Sequence, residues 1–153
     1  MPRGSLELTG LRGFLIAVFV LGVVGTGAEL LLLGHFEDYR QLVPLTLFGL
    51  GLLLVGVRAV HGRAWGVRVF RALMVIYIVS GGLGIYFHIR SNVEFELEMY
   101  PSMGGWELVR ESLTGALPAL APGTMIYLGL LGWAATFRHP LLANVSATQE
   151  EDS

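Results

Sequence analysis

The chain has 153 residues, 54% hydrophobic and 14% charged, with a mean hydropathy of +0.64, a balance that points to a membrane protein and away from an ordinary soluble domain. The absence of cysteine excludes a thiol nucleophile, a disulfide and a Cys-ligated metal. A net charge of −2 offers no basic field for nucleic acid.

A membrane-crossing helix needs about 20 mostly apolar residues. In chain order, residues 13–33, 42–58, 71–89 and 116–137 are the four candidates. They predict an all-α integral membrane protein with one four-helix transmembrane domain over residues 1–142 and a disordered cytoplasmic tail over 143–153. The second span is short and relies on Arg58 reaching back to the headgroups. A soluble bundle would need a polar stripe on every helix, and residues 14–24 and 47–57 have none.

The arginines set the orientation. Arg3, Arg12, Arg58, Arg63, Arg68, Arg71 and Arg138 fall on one side of the spans, and Arg40, Arg90 and Arg110 on the other. By the positive-inside bias both termini are cytoplasmic. Trp65, Phe70, Trp133 and Phe137 suit the inner interface, and Phe36, Tyr39, Tyr86, Tyr100 and Trp106 the outer one. Arg63 and Arg68 beside Trp65 form an anchor for anionic headgroups. The first span also has the outline of a cleaved signal peptide, with small residues at Thr26 and Ala28, but its apolar run resumes at Leu30.

The long outer loop, residues 90–115, is expected to be folded. Its segment 92–100 alternates acidic and apolar residues, which as a strand places Glu94, Glu96 and Glu98 on one face and Val93, Phe95, Leu97 and Met99 on the other. Residues 101–105 read as a turn. Trp106, Val109 and Leu113 then predict a short amphipathic helix on the outer membrane surface. The fourth span opens with Pro118 and Pro122, so its regular helix starts at one of them, and its N-terminus faces the acidic loop.

Glu29 is the acid left inside the spans, where a carboxylate costs a few kcal/mol without a partner. It shares a stripe with Gly22, Gly25 and Thr26, and the third span has a comparable stripe in Tyr77, Ser80, Gly81, Gly84 and His88. If the stripes face each other, Glu29 points into the bundle and meets His88. His35 and His88 both end outer helix termini, where imidazole also serves as a cap.

Glu29, His35, Glu37, His88, Glu94, Glu96 and Glu98 together form a mixed carboxylate and imidazole set suited to Zn²⁺, Mn²⁺ or Fe²⁺. No His-x-x-x-His or Glu-x-x-His spacing supports it. His35 and His88 could instead ligate a haem iron, with Gly81, Gly82 and Gly84 making room for the macrocycle; close helix contact is the commoner use of such glycines. Ser80-Gly81 lacks the setting of a serine nucleophile.

The leading expectation is a small, non-enzymatic accessory subunit of a bacterial inner membrane, in contact with the lipid bilayer and with a membrane-protein partner or a second copy through its acidic outer cap. Exclusive use of arginine over lysine, with abundant Gly, Ala, Leu and Val, suggests the GC-rich genome of a bacterium. Divalent-cation binding or transport through the Glu/His set is the alternative, and a b-type haem electron carrier the third.

Overall fold

The computed structural model describes residues 3–142, with side chains from Leu6 onward; the expected tail over residues 143–153 lies outside the described residues. All regular structure among them is helical: α1 Arg3–Leu32, α2 Tyr39–His61, α3 Ala64–Met99, α4 Gly105–Thr114 and α5 Gly123–Ala135. Three of these, α1, α2 and α3, are long and apolar enough to cross a membrane.

The helix ends follow local chemistry. Gly34 adopts φ +66°, and the Gly34 and His35 N–H groups donate to Leu31 O and Leu30 O at 3.2 and 2.9 Å, a Schellman stop for α1. Asp38 and Gln41 form a reciprocal capping box at the start of α2. Gly62, at φ +55°, turns the chain out of α2 with its N–H on Arg58 O. Pro101 follows the end of α3, as expected of a residue that disfavours helix in its predecessor.

Around the bundle the neighbours are α1–α2, α2–α3, α3–α5 and α5–α1, so the four longer helices close a ring. Phe19 and Val23 of α1, Leu47 and Phe48 of α2, Phe70, Met74 and Tyr77 of α3, and Met125 and Leu128 of α5 form the core. Phe19 meets Phe70 edge-on at 5.6 Å, and the Tyr77 hydroxyl donates to Leu47 O at 2.9 Å. The outside is apolar: Leu21, Leu32, Leu53 and Val60 are all strongly exposed, as a lipid-facing surface requires.

Three expectations are corrected here. Residues 92–99 are helix, not strand: no Gly or Pro interrupts the chain between Ile85 and Met99, Arg90 pairs with Glu94 one turn on at 2.8 Å, and among the described residues no second strand offers a ladder. The two small-residue stripes do not face each other, because α5 lies between α1 and α3. Gly22 of α1 meets Leu128 of α5, while Gly81 and Gly84 of α3 receive Pro122 and Ile126. Arg58 does not simply extend to headgroups; its guanidinium lies over the Phe70 ring, 4.9 Å from the centroid.

The fourth apolar segment holds only 13 residues of regular helix, about 20 Å of rise. Its approach is a set of tight turns, with the Ala121, Gly123, Thr124 and Met125 N–H groups donating to carbonyls three residues back. These turns pair part of the backbone of the broken entry within the chain.

Candidate functional site

Two groups of polar side chains gather at opposite ends of the bundle. At the acidic end, His35 leaves the α1 cap and His88 projects from α3, both half-buried. His88 Nδ1 donates to Pro118 O at 3.1 Å, which in the neutral ring leaves Nε2 with its lone pair. Burial, and then the proximity of His88, lower the His35 pKa from its ordinary 6.5. The fold therefore leaves the two histidines near enough to influence each other's charge. It does so through the α1–α2 turn and the α5 approach.

The carboxylates do not join them. Glu29 is exposed on the outside of α1 and does not point into the bundle as expected; among the described residues its carboxylate has no hydrogen-bond or ion-pair partner. Glu37 lies in the exposed turn, where its backbone N–H donates to Gln41 Oε1 at 2.9 Å. Continuation of α3 splits the acidic triplet: Glu94 and Glu98 share one side, and Glu96 turns toward α4. Among the described residues no three His, Asp or Glu side chains converge on a point that could hold a metal ion. The space a macrocycle would need at Gly81 and Gly84 is filled by Pro122 and Ile126.

What organises this end is a residue that periodicity does not single out. Asn92 of α3 is 1% exposed, and its Nδ2 donates to Ser112 O at 2.8 Å and Leu117 O at 2.7 Å, while Oδ1 accepts from the Leu117 N–H at 3.0 Å. One amide thus fixes the end of α4 and the start of the α5 approach against α3. Gly115 must be glycine for this, since a Cβ there would stand 2.9 Å from the Asn92 amide carbon. A polar residue amid Glu94, Glu96 and Glu98 looks like one more solvated group; its asymmetry becomes meaningful only once the segment is known to be helical.

With its Ser112 side buried against α3, α4 presents Trp106, Val109 and Leu113 outward, Trp106 being 77% exposed. Beside it, Glu96 of α3, Tyr100 just past its end, and Met103, Glu107 and Glu111 beyond line an open recess of about 400 Å³. The result is a rigid cap with an apolar stripe next to an acidic hollow.

At the arginine end, Arg71 of α3 donates from Nε to Thr136 Oγ1 at 3.1 Å and from Nη2 to Thr136 O at 2.6 Å. Arg12 of α1 donates to Phe137 O and Arg138 O at 3.2 and 2.8 Å. Two guanidinium groups thereby cap the carbonyl end of α5, where cations are favoured by the helix dipole. The short α5 is consequently held at both ends by side chains from its neighbours.

Comparison with known protein families, with curated proteins and with solved structures finds no match.

Proposed function

We propose that the protein is a non-enzymatic accessory subunit of a bacterial inner membrane, with four spans and the arginine end in the cytoplasm, and that its outer cap docks on a partner membrane protein. The four-span reading is supported by α5, whose approach of hydrogen-bonded turns and whose exit capped by Arg71 extend the ordered segment beyond its 13 helical residues. The sorting of arginines between the two ends supports the orientation. The observation that carries the function is the stripe of Trp106, Val109 and Leu113, left outward on a helix that Asn92 holds rigid. A fixed, exposed Trp beside an acidic hollow suits a partner with an apolar pocket flanked by basic residues.

Site-specific photocrosslinking in native membranes tests this. A crosslinker at position 106 or 109 is expected to give one adduct of constant protein mass, absent when the crosslinker is at lipid-facing position 53. Lipid adducts alone at all three positions would place α4 flat on the bilayer and remove the docking role.

A second reading, divalent-cation binding, draws on the proximity of His35 and His88 and on the lone pair that Pro118 leaves at His88 Nε2. It supplies two imidazoles, and the remaining ligands would be water or a partner's carboxylates. Metal analysis of the purified protein decides it: stoichiometric Zn²⁺ or Mn²⁺ lost in His88→Ala supports the reading, and metal-free wild-type protein after loading ends it.

A further inference from the structure

The arginine end carries an arrangement that capping α5 does not explain. Arg71, Trp133, Phe137, Arg138, His139 and Leu142 line an open recess of about 580 Å³. Only part of its donor capacity is used within the chain. Arg71 spends Nε and Nη2 on Thr136, and its guanidinium lies 5.6 Å from the Trp133 ring centroid, which leaves Nη1 without a protein acceptor among the described residues. Arg138 makes no side-chain hydrogen bond among them and lies 5.5 Å from the Phe137 ring centroid. The Leu141 N–H points at His139 Nδ1 at 3.4 Å, so the neutral ring carries its hydrogen on Nε2.

Among the described residues no carboxylate pairs with these groups: the ion pairs there are Arg90–Glu94 and Arg110–Glu111, both at the other end. Arg138 is also the non-glycine residue at positive φ, +47°, a conformation that costs energy unless its surroundings hold it. Arg12 does hold it, through the Arg138 carbonyl at 2.8 Å. The strained turn sets the Arg138 side chain beside the recess.

We propose that this recess is a binding site for the phosphate of an anionic membrane lipid, held by Arg71 Nη1, the Arg138 guanidinium and His139 Nε2, with Trp133 and Phe137 against the glycerol and upper acyl region. The location favours a lipid over a soluble anion, because the recess opens at the end of apolar helices where aromatic rings meet headgroups. Charge and planar donors suit a phosphate oxygen. The proposal depends on the chain lying in a bilayer and is independent of the docking role of the cap. It also accounts for His139, whose pKa is lowered by burial and then by Arg58, Arg12 and Arg71: an anion seated among those cations would reverse that influence.

The full chain in phosphatidylcholine nanodiscs, with and without a minor fraction of phosphatidylglycerol, provides the test. Native mass spectrometry after detergent release is expected to show one phosphatidylglycerol retained per chain. Arg138→Gln and His139→Gln each remove one donor to a charged group, and retention is expected to weaken about tenfold. The double variant Arg40→Gln with Arg110→Gln, which removes the same amount of charge at the opposite end of the bundle, is expected to retain lipid like the wild type.

A parallel histidine NMR titration reads the site independently of retention: the His139 pKa is expected to rise on adding phosphatidylglycerol. Equal retention by Arg138→Gln and wild type, or equal loss in the Arg40/Arg110 variant, would overturn the proposal in favour of diffuse attraction. If inorganic phosphate in phosphatidylcholine-only discs raises the His139 pKa as far as the lipid does, the site takes a soluble anion and the lipid assignment fails.

Discussion

Asn92 and Leu117 are joined by two hydrogen bonds, from Asn92 Nδ2 to the Leu117 carbonyl at 2.7 Å and from the Leu117 N–H to Asn92 Oδ1 at 3.0 Å. A side-chain amide here imitates a strand neighbour for one residue of irregular backbone. The same Nδ2 reaches Ser112 O, so the path from α4 into α5 is pinned at the point where it would otherwise leave unpaired groups near the bilayer.

Replacing this buried amide should therefore be costly. Asn92→Ala leaves the Leu117 N–H and two carbonyls unpaired, a loss of about 3 kcal/mol or more at roughly 1 kcal/mol or more per buried group. Asn92→Asp is expected to be at least as harmful, since a carboxylate would face two carbonyl oxygens. Ser112→Ala is the contrast, because Ser112 Oγ is buried without a hydrogen-bond partner among the described residues, so its removal should be neutral or stabilising. Thermal unfolding in detergent measures all three; an Asn92→Ala protein as stable as Ser112→Ala would mean the clamp is dispensable.

The glycines divide just as sharply. A Cβ at Gly81 would lie 2.9 Å from Ile126 N and Pro122 O, and one at Gly129 2.7 Å from Met74 O, so α3 and α5 would have to separate. Gly82, one residue along, has open space. Gly81→Ala and Gly129→Ala are expected to destabilise by about 1–3 kcal/mol through overpacking. Gly82→Ala should stabilise slightly through helix propensity, by about 0.5–1 kcal/mol. Denaturation midpoints of the three variants check the order, and a harmless Gly81→Ala would show that α5 is not seated against α3 as described.

Much of the architecture is legible in the residues. The apolar runs give α1, α2 and α3, and the i, i+3, i+7 spacing of Trp106, Val109 and Leu113 gives α4 with its apolar side outward. The segment from Val93 to Met99 is not legible in the same way, because alternating acids over seven residues satisfy a strand template as readily as an exposed helix. Continuity with the apolar helix before it decides the matter.

The site was harder to read for a different reason. Stripes of small residues indicate that a helix approaches, never which one. Glu29 and His88 would be partners only if α1 and α3 were neighbours around the bundle. Insertion of α5 separates those stripes, and it is the α5 approach, through Pro118, that orients His88. His35 and His88 lie at the same end of the bundle, which their positions along two spans do reveal.

At the arginine end, Thr136 is fully buried and its hydroxyl both accepts and donates: Oγ1 accepts from Arg71 Nε at 3.1 Å, and its O–H is shared by Trp133 O at 2.8 Å and Gly132 O at 3.5 Å. Thr136→Val keeps the volume and removes these bonds, leaving a guanidinium N–H unpaired. A loss of about 1–3 kcal/mol is expected. Thr136→Ser should restore most of it, with a modest penalty for the missing methyl. Unfolding of the pair Val and Ser distinguishes the hydrogen bonds from shape, since equal losses in both would assign the effect to packing.

The two lowered histidines set the pH dependence. His35 is shifted down first by burial and then by His88, and His139 first by burial and then by Arg58, Arg12 and Arg71. Each therefore binds protons less readily folded than unfolded, where its pKa is near the ordinary 6.5. Above that value both states are neutral and neither histidine affects stability. As pH falls through it the unfolded chain takes up protons first, so stability is lost progressively until the lowered folded pKa is passed. The melting temperature of the wild type is expected to fall between neutral pH and about pH 5, a range above the ordinary carboxylate pKa values. His35→Gln and His139→Gln should each flatten part of the decline, and the double variant more than either. A wild-type melting temperature that stays level or rises on acidification to that point would show that neither imidazole is held neutral by the fold.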